Sequence, residues 1–304
     1  MKRITWILLC SLIVSVIGPV GTAMASPVEG LATVENMLYG QQQGGALVSR
    51  LERLERDLFG ETKSGALIVR INNINQYLLS SEVRGASLTM QLNALEWMVH
   101  ESVNDGQPIA KRLEALEMAL YGAPQEGAIM ERSSSLIKVL WATDDLKTRS
   151  VELPKETLVK IRLQTELNSA KNEVGQRVRY RIVDDVLVDG IMVLPAGSEG
   201  EGKVTEVTSA GRLGRDGRVV VDFSSVKAID GTPVQLEVSE RATEKNLSLE
   251  MAAGASMAGV ILLGPIGLAG GYFVKGKDVS IPVGTEFYVE VSRGARVTGL
   301  DLRP

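Results

Sequence analysis

The sequence holds one cysteine and one histidine among 304 residues. Those counts exclude a disulfide framework, a zinc site built on Cys and His, and a Cys–His nucleophile pair. An excess of either charge is missing too: 33 Lys and Arg stand against 37 Asp and Glu, for a net −4. Nucleic-acid binders carry a basic face, so no nucleic-acid partner is expected. Charged residues at 23% and hydrophobic ones at 44% are the proportions of a folded chain rather than a disordered one. The length suits about two domains.

Long apolar runs are few. The first opens the chain, where Lys2 and Arg3 precede an apolar stretch from Trp6 to Val20 and then Ala23-Met24-Ala25, a small-x-small cleavage site. That is the pattern of a secretory signal peptide over residues 1–25. The run contains Gly18 and Pro19 and falls short of the about 20 residues that a membrane span needs. The expectation is an exported chain that starts at Ser26 and resides in the periplasm or on the outer membrane. Leu9 before Cys10 does not suit lipidation. Cleavage removes Lys2, Arg3 and Cys10, leaving a mature chain with no thiol and no oxidation step.

The region 26–150 is repetitive. Apolar residues recur at +4, +3, +4 spacing in Leu47, Leu51, Leu54, Leu58; Leu67, Ile71, Ile74, Leu78; Leu88, Leu92, Leu95, Val99; and Ile109, Leu113, Leu116, Leu120. A sixth copy reads Ile129, Leu136, Leu140 with Ser133 at the second place, and the first reads Leu31, Val34, Leu38 after Pro27. The copies open at 27, 47, 67, 88, 109 and 129, a period of 20 or 21 residues. Such spacing lines one face of an amphipathic helix. Gly40, Gly60 and Gly122 follow Tyr39, Phe59 and Tyr121, where a left-handed C-terminal cap is needed. Six short helices in a stacked array are expected, with an oligomeric coiled-coil stalk as the competing arrangement. Arg53, Arg56, Glu52, Glu55, Glu114 and Glu117 read as solvated faces. Trp97 and Trp141 read as core or inter-helix packing.

From Val151 the period changes to two. Val159 to Leu163, Arg177 to Val183, Val186 to Leu194, Lys203 to Thr208, Arg218 to Ile229, Pro233 to Val238 and Ile281 to Val291 read as strands, with Asp189-Gly190, Pro195-Ala-Gly197, Asp230-Gly231 and Pro282-Val-Gly284 as turns. Seven or eight short strands across 151–304 indicate a small barrel or sandwich. The fold class is thus α+β, a helical repeat array followed by a barrel-like domain. Within it, residues 251–274 form an apolar run without a charge, holding Gly254, Gly259, Gly264, Gly267 and Gly271, with Pro265 near its middle. Small residues four apart let helices approach closely, so this segment is a candidate membrane or oligomer contact; packing within the protein is the other reading.

The stretches Leu167-Asn-Ser169, Val174 to Val178, Val188-Asp-Gly190, Leu194 to Gly197, Gly202 to Thr205, Gly211 to Gly214, Ala228 to Gly231 and Lys275 to Val279 resemble a β-domain of exported bacterial proteins. More distantly, this half is similar to the periplasmic β-barrel scaffold subunit of conjugation and type IV secretion channels. That resemblance implies a barrel with an apolar insertion that contacts the outer membrane, and a role in secretion or outer-membrane assembly. The helical repeats resemble those of envelope proteins of anaerobic bacteria with two membranes.

Catalytic patterns are absent. Gly197 to Lys203 has the opening of a phosphate loop, but Val204 stands where Ser or Thr must hold magnesium, and a strand follows. Asp144-Asp145 and Asp184-Asp185 lack a surrounding ligand set, and His100 reads as a helix-surface residue. No carboxylate pair is singled out. The expectation is a non-enzymatic envelope protein with no cofactor and no metal, self-associating or docking on other envelope proteins. Arg212, Arg215 and Arg218, in a Gly-rich loop, are candidate contacts for an anionic ligand, a cell-wall glycan or a lipid head group.

Overall fold

The computed structural model describes residues 26–80, 85–211, 215–253 and 278–302, so the signal-peptide reading of 1–25 lies outside the described residues. Six helices open the described chain: α1 (Pro27–Tyr39), α2 (Leu47–Phe59), α3 (Leu67–Leu79), α4 (Leu88–His100), α5 (Ile109–Tyr121) and α6 (Ile129–Trp141). They begin at the positions where the repeat begins. Ser26 caps α1 in a reciprocal box: its hydroxyl accepts the Glu29 N–H at 3.3 Å, and the Glu29 carboxylate accepts the Ser26 N–H at 2.9 Å. Gly40, Gly60 and Gly122 end α1, α2 and α5 in the left-handed conformation, at φ 79°, 78° and 79°.

The array is not an extended stack. Besides its neighbours in sequence, α1 packs on α3 and α5, α2 packs on α6, and α4 packs on α6. The helices therefore wrap around one core, in which Leu31, Leu38, Leu51, Leu54, Leu58, Leu92, Leu95, Leu113 and Leu116 are fully buried.

Glu55 and Glu117, read above as solvated, are buried. Glu35, Glu55, Glu96 and Glu117 all have at most 4% exposure, and each grips an arginine of the next helix. Arg50, Arg70 and Arg132 each donate through Nε at 2.9 Å and through Nη2 at 2.6 Å to Glu35, Glu55 and Glu117. Arg112 does the same to Glu96 at 2.9 and 2.7 Å. Each carboxylate also accepts a backbone N–H eight residues on, from Gln43, Lys63, Asn104 or Gln125. One buried carboxylate thus fixes both the connecting turn and the next helix. A two-pronged guanidinium–carboxylate contact is the geometry that tolerates such burial.

Twelve strands follow, more than the seven or eight expected. They are β1 (Thr148–Leu153), β2 (Leu158–Leu163), β3 (Leu167–Asn168), β4 (Arg177–Ile182), β5 (Val186–Val188), β6 (Ile191–Leu194), β7 (Glu199–Thr208), β8 (Arg218–Lys227), β9 (Pro233–Glu237), β10 (Ser280–Ile281), β11 (Glu286–Val291) and β12 (Ala295–Asp301). Helix α7 (Glu240–Ala253) lies between β9 and β10 in sequence. The additional strands are β1 and β12, which pair with each other from the two ends of the region, and the two-residue β3 and β10, which also pair with each other.

Six strands close a barrel in the order β11-β2-β4-β7-β8-β9, all neighbours antiparallel. A second sheet runs β1-β12-β6-β5. The barrel interior is filled. Tyr180, Phe223 and Phe287 are fully buried and meet edge to face, with ring centroids 5.4 and 5.7 Å apart. Tyr180 lies opposite Gly200 and covers it, and its hydroxyl donates to the Phe223 carbonyl at 2.8 Å. A Cβ at Gly200 would occupy the space of the Tyr180 ring.

The closure between β9 and β11 is short, with two residue pairs. Helix α7 completes it. Asn246, 5% exposed, donates to the Tyr288 carbonyl at 3.0 Å and accepts the Tyr288 N–H at 2.7 Å, the two bonds a neighbouring strand would make. Ser239 accepts the Ala242 N–H and donates to Glu290 at 2.6 Å.

Array and barrel share an interface of apolar packing and hydrogen bonds. Met192, Ile229 and Leu300 from the β region belong to the helices' core. Asn93 of α4 donates to the Ile229 carbonyl at 2.7 Å while accepting from Arg112 at 2.6 Å. Trp97 donates to Asp185 at 3.0 Å, and Lys227 pairs with Asp105 at 2.9 Å. Gly197, at φ 81°, lies against the backbone of Glu101 and Ser102, where a Cβ finds no room.

Candidate functional site

The apolar candidate falls largely beyond view. Gly254, Gly259, Gly264, Gly267 and Gly271 lie outside the described residues; of 251–274, only its first three positions are described, as the end of α7. Among the described residues no helix is long and apolar enough to cross a membrane.

The arginine loop is partly described. Arg212 lies outside the described residues; Arg215 and Arg218 are both exposed at the β7–β8 hairpin tip. Arg218 stands 3.9 Å from Glu206, and the Arg215 guanidinium lies over Gly211. The base of the loop is anchored. Ala210 N–H donates to Asp278 at 2.8 Å, Ser209 donates to the Ser169 carbonyl at 3.1 Å, and Ser169 donates to Asp278 at 2.8 Å. Val279 N–H in turn donates to the Ser169 hydroxyl at 3.0 Å. The hairpin base is thereby tied to the residues just before β10.

The remaining candidates behave as surface groups. His100, Asp144, Asp145 and Asp184 are exposed. Asp185 accepts the Trp97 N–H and the Ala196 N–H, so it joins array to barrel. Residues Glu199 to Lys203, which resemble a phosphate loop, form part of β7. Among the described residues no group of three or more His, Cys, Asp and Glu side chains converges as a metal set.

Two clefts flank the array. One of about 160 Å³ lies between α3, α4 and α6 and is lined by amides and hydroxyls, among them Asn73, Gln76, Ser80, Gln91 and Ser134. A broader one of about 650 Å³ lies between α1, the α4–α5 connection and the β8–β9 turn, with Met37, Leu79, Pro108, Ile109 and Lys227 in its walls.

Electrostatics mark the inter-helix pairs and one barrel face. Burial raises the Glu35 and Glu55 carboxyls, but the hydrogen bonds from Arg50 and Arg70, with those of the Gln43 and Lys63 N–H groups, outweigh it and hold both below the ordinary range. The hydrogen bonds from Lys160 and Arg162 likewise lower Glu286, and the bond to Glu286 raises Lys160. Burial raises the phenols of Tyr39 and Tyr180.

The fold defines a class: a helical-repeat array packed against a closed, filled six-stranded barrel. No family model and no curated protein sequence matches the chain. Among solved structures, ComB10 of the Com type IV secretion system of Helicobacter pylori is similar over 48% of this chain and 90% of its own, at 13% identity and a TM-score of 0.28. At that score the likeness is a loose fit that carries no argument; the barrel rests on the strand pairing given above.

Proposed function

We propose that the protein is a non-enzymatic scaffold of the bacterial cell envelope, exported by its N-terminal signal, in which the helical array docks or self-associates and the C-terminal region anchors. The observation that supports this reading is the joint between array and barrel: Asn93 and Trp97 hydrogen-bond across it, and Gly197 packs on the Glu101–Ser102 backbone. A joint of this kind holds two surfaces at a fixed separation, which is what a spacer or assembly platform requires. Residues 251–274, with Gly254, Gly259, Gly264, Gly267 and Gly271, are the proposed membrane or oligomer contact. The expected result is stable self-association, and retention with the outer membrane through carbonate and high-salt washes. A protein that is monomeric by light scattering at micromolar concentration, and released by those washes with or without 251–274, refutes the scaffold.

A second reading is a binding module for an anionic cell-wall glycan. The anchored hairpin tip favours it, because Arg215 and Arg218 are presented on a fixed base rather than a loose loop. Pull-down with purified cell wall is expected to weaken on Arg215→Ala/Arg218→Ala and with rising salt. Absence of binding at low salt ends this reading.

A further inference from the structure

The outer wall of the barrel distributes charge unevenly. Alternation along β2 turns Lys160 and Arg162 outward, and alternation along β4 turns Arg177, Arg179 and Arg181 outward. Two adjacent strands thus present five cations and no acid. Arg162 stands directly opposite Arg181 in the pairing, an arrangement that costs stability between like charges. The balancing acids come from the strands on either side: Glu286 of β11 pairs with Lys160 and Arg162, and Glu199 and Glu201 of β7 pair with Arg181 and Arg177. With Asp184, whose charge acts on Lys160, four carboxylates face five cations, and Glu201, opposite Arg179 in the β4–β7 register, is taken by Arg177. The exposed Arg179 guanidinium makes no ion pair or hydrogen bond among the described residues. The Nε of Arg181 is the one buried side-chain polar atom there without a hydrogen-bond partner. A wall shaped for cross-strand pairing would alternate sign between β2 and β4; this one gathers a positive ridge on a chain of net charge −4.

We propose that this ridge, Lys160, Arg162, Arg177, Arg179 and Arg181, binds a single strand of acidic polysaccharide laid along β4. It deepens the glycan reading, which it moves from the loop to the barrel wall. Outward residues on a strand recur about every 7 Å, so the three arginines of β4 form a row about 14 Å long, over which a linear polyanion can lay several carboxylates. The width of the lane selects one chain. The acid-bearing strands lie three strand spacings apart, about 14 Å, and would repel a flat anionic membrane laid across them. Asp184, beside Lys160 at one end, closes the lane. β2 and β4 point no aromatic side chain outward; the nearest, Tyr288 of β11 opposite Lys160, already has the Lys245 ammonium over its ring at 5.8 Å, so the ridge lacks a row of free stacking faces for nucleic-acid bases.

The test is fluorescence anisotropy of labelled polygalacturonate with the full chain at low salt. Binding is expected to exceed that of neutral dextran and to fall steeply with sodium chloride. Arg177→Ala/Arg179→Ala should lower affinity about tenfold, the size of one charge-assisted hydrogen bond, with an unchanged melting temperature. Lys138→Ala, which removes an exposed cation of α6, should leave it unchanged. Binding no better than dextran, or an equal loss in Lys138→Ala, overturns the proposal. So does tighter binding to oligo-dT or to vesicles of anionic phospholipid. Loss of binding in Arg215→Ala/Arg218→Ala with the β4 variant unaffected overturns the ridge but leaves the loop reading standing.

Discussion

The buried pair between α2 and α3 gives the sharpest test of what holds the array. Glu55 and Arg70 have side-chain exposures of 1% and 9%, and they meet at 2.6 Å. Replacing Glu55 by Leu leaves the Arg70 guanidinium buried without its counter-charge and the Lys63 N–H without its acceptor. Breaking such a pair from one side costs about 3–5 kcal/mol. A domain has about 5–15 kcal/mol in total, so the loss is visible as a fall in melting temperature of about 6–20 °C. Arg70→Met should cost as much, because the Glu55 carboxylate is then stranded. The double variant Glu55→Leu/Arg70→Met removes both charges and restores apolar contact. It should recover most of the loss, to within about 1–2 kcal/mol of the parent. The assay is urea unfolding followed by circular dichroism on all four proteins. A coupling energy of at least about 2 kcal/mol is expected between the two sites. Glu61→Ala, which breaks an exposed pair with Lys63, should not move the midpoint. Additivity of the two core substitutions within about 0.5 kcal/mol would refute the claim that these pairs fix the helices' register.

Glu35 and Glu55 have lowered folded-state pKa values, so their contribution is complete above the ordinary carboxylate pKa of 4.5 and is lost as pH falls through the lower folded values. Stability measured from pH 7 downward should hold to about pH 5 and then decline, and a decline already complete at pH 5 contradicts this. Tyr39 and Tyr180 are raised, so the stability they contribute is present below pH 10.0 and is lost above it, checked by the same unfolding series in alkaline buffer. Gly197→Ala forces a Cβ into the Glu101–Ser102 backbone and should cost about 2–4 kcal/mol, with faster hydrogen exchange on both sides of the array–barrel joint. Asn246→Ala should speed exchange at the Tyr288 amide and destabilise the barrel by about 2 kcal/mol while leaving the array's amides unchanged.

The helical half was legible almost to the residue, because short-range physics sets it. The apolar spacing gives each helix its first residue, and the glycine after Tyr39, Phe59 or Tyr121 gives its end. The turn at Asp189-Gly190 was legible for the same reason: both residues have positive φ, 51° and 79°, as a tight hairpin demands. What escaped was long-range. β1 and β12 pair across about half the chain, and neither alternates cleanly in burial. Burial of Glu55 and Glu117 also escaped, since a charged residue on an amphipathic helix is ordinarily solvated. A signal for it exists in the spacing. Glutamate at the ninth place of one copy accompanies arginine at the fourth place of the next, in Glu35/Arg50, Glu55/Arg70, Glu96/Arg112 and Glu117/Arg132. Of the candidate site, the hairpin-tip arginines were visible as a run, whereas the β2–β4 ridge needed the pairing of strands that the sequence does not announce.

The same spacing divides the helices into kinds. α1 and α4 offer a glutamate forward but have Gly30 and Gln91 where an arginine would face backward. α2 and α5 carry both halves. α3 and α6 carry the arginine but end in Asn75 and Ile137 in place of the glutamate. The order is opener, middle, closer, then opener, middle, closer again, so the array consists of two matching triplets with an uncharged junction between α3 and α4. Such a grammar constrains how the chain can change length. A middle helix can be gained or lost without stranding a buried charge, but losing an opener or a closer strands one each time. Growth of this array by duplication is therefore expected to proceed by whole triplets or by middle helices, and truncation at any other boundary to unfold it.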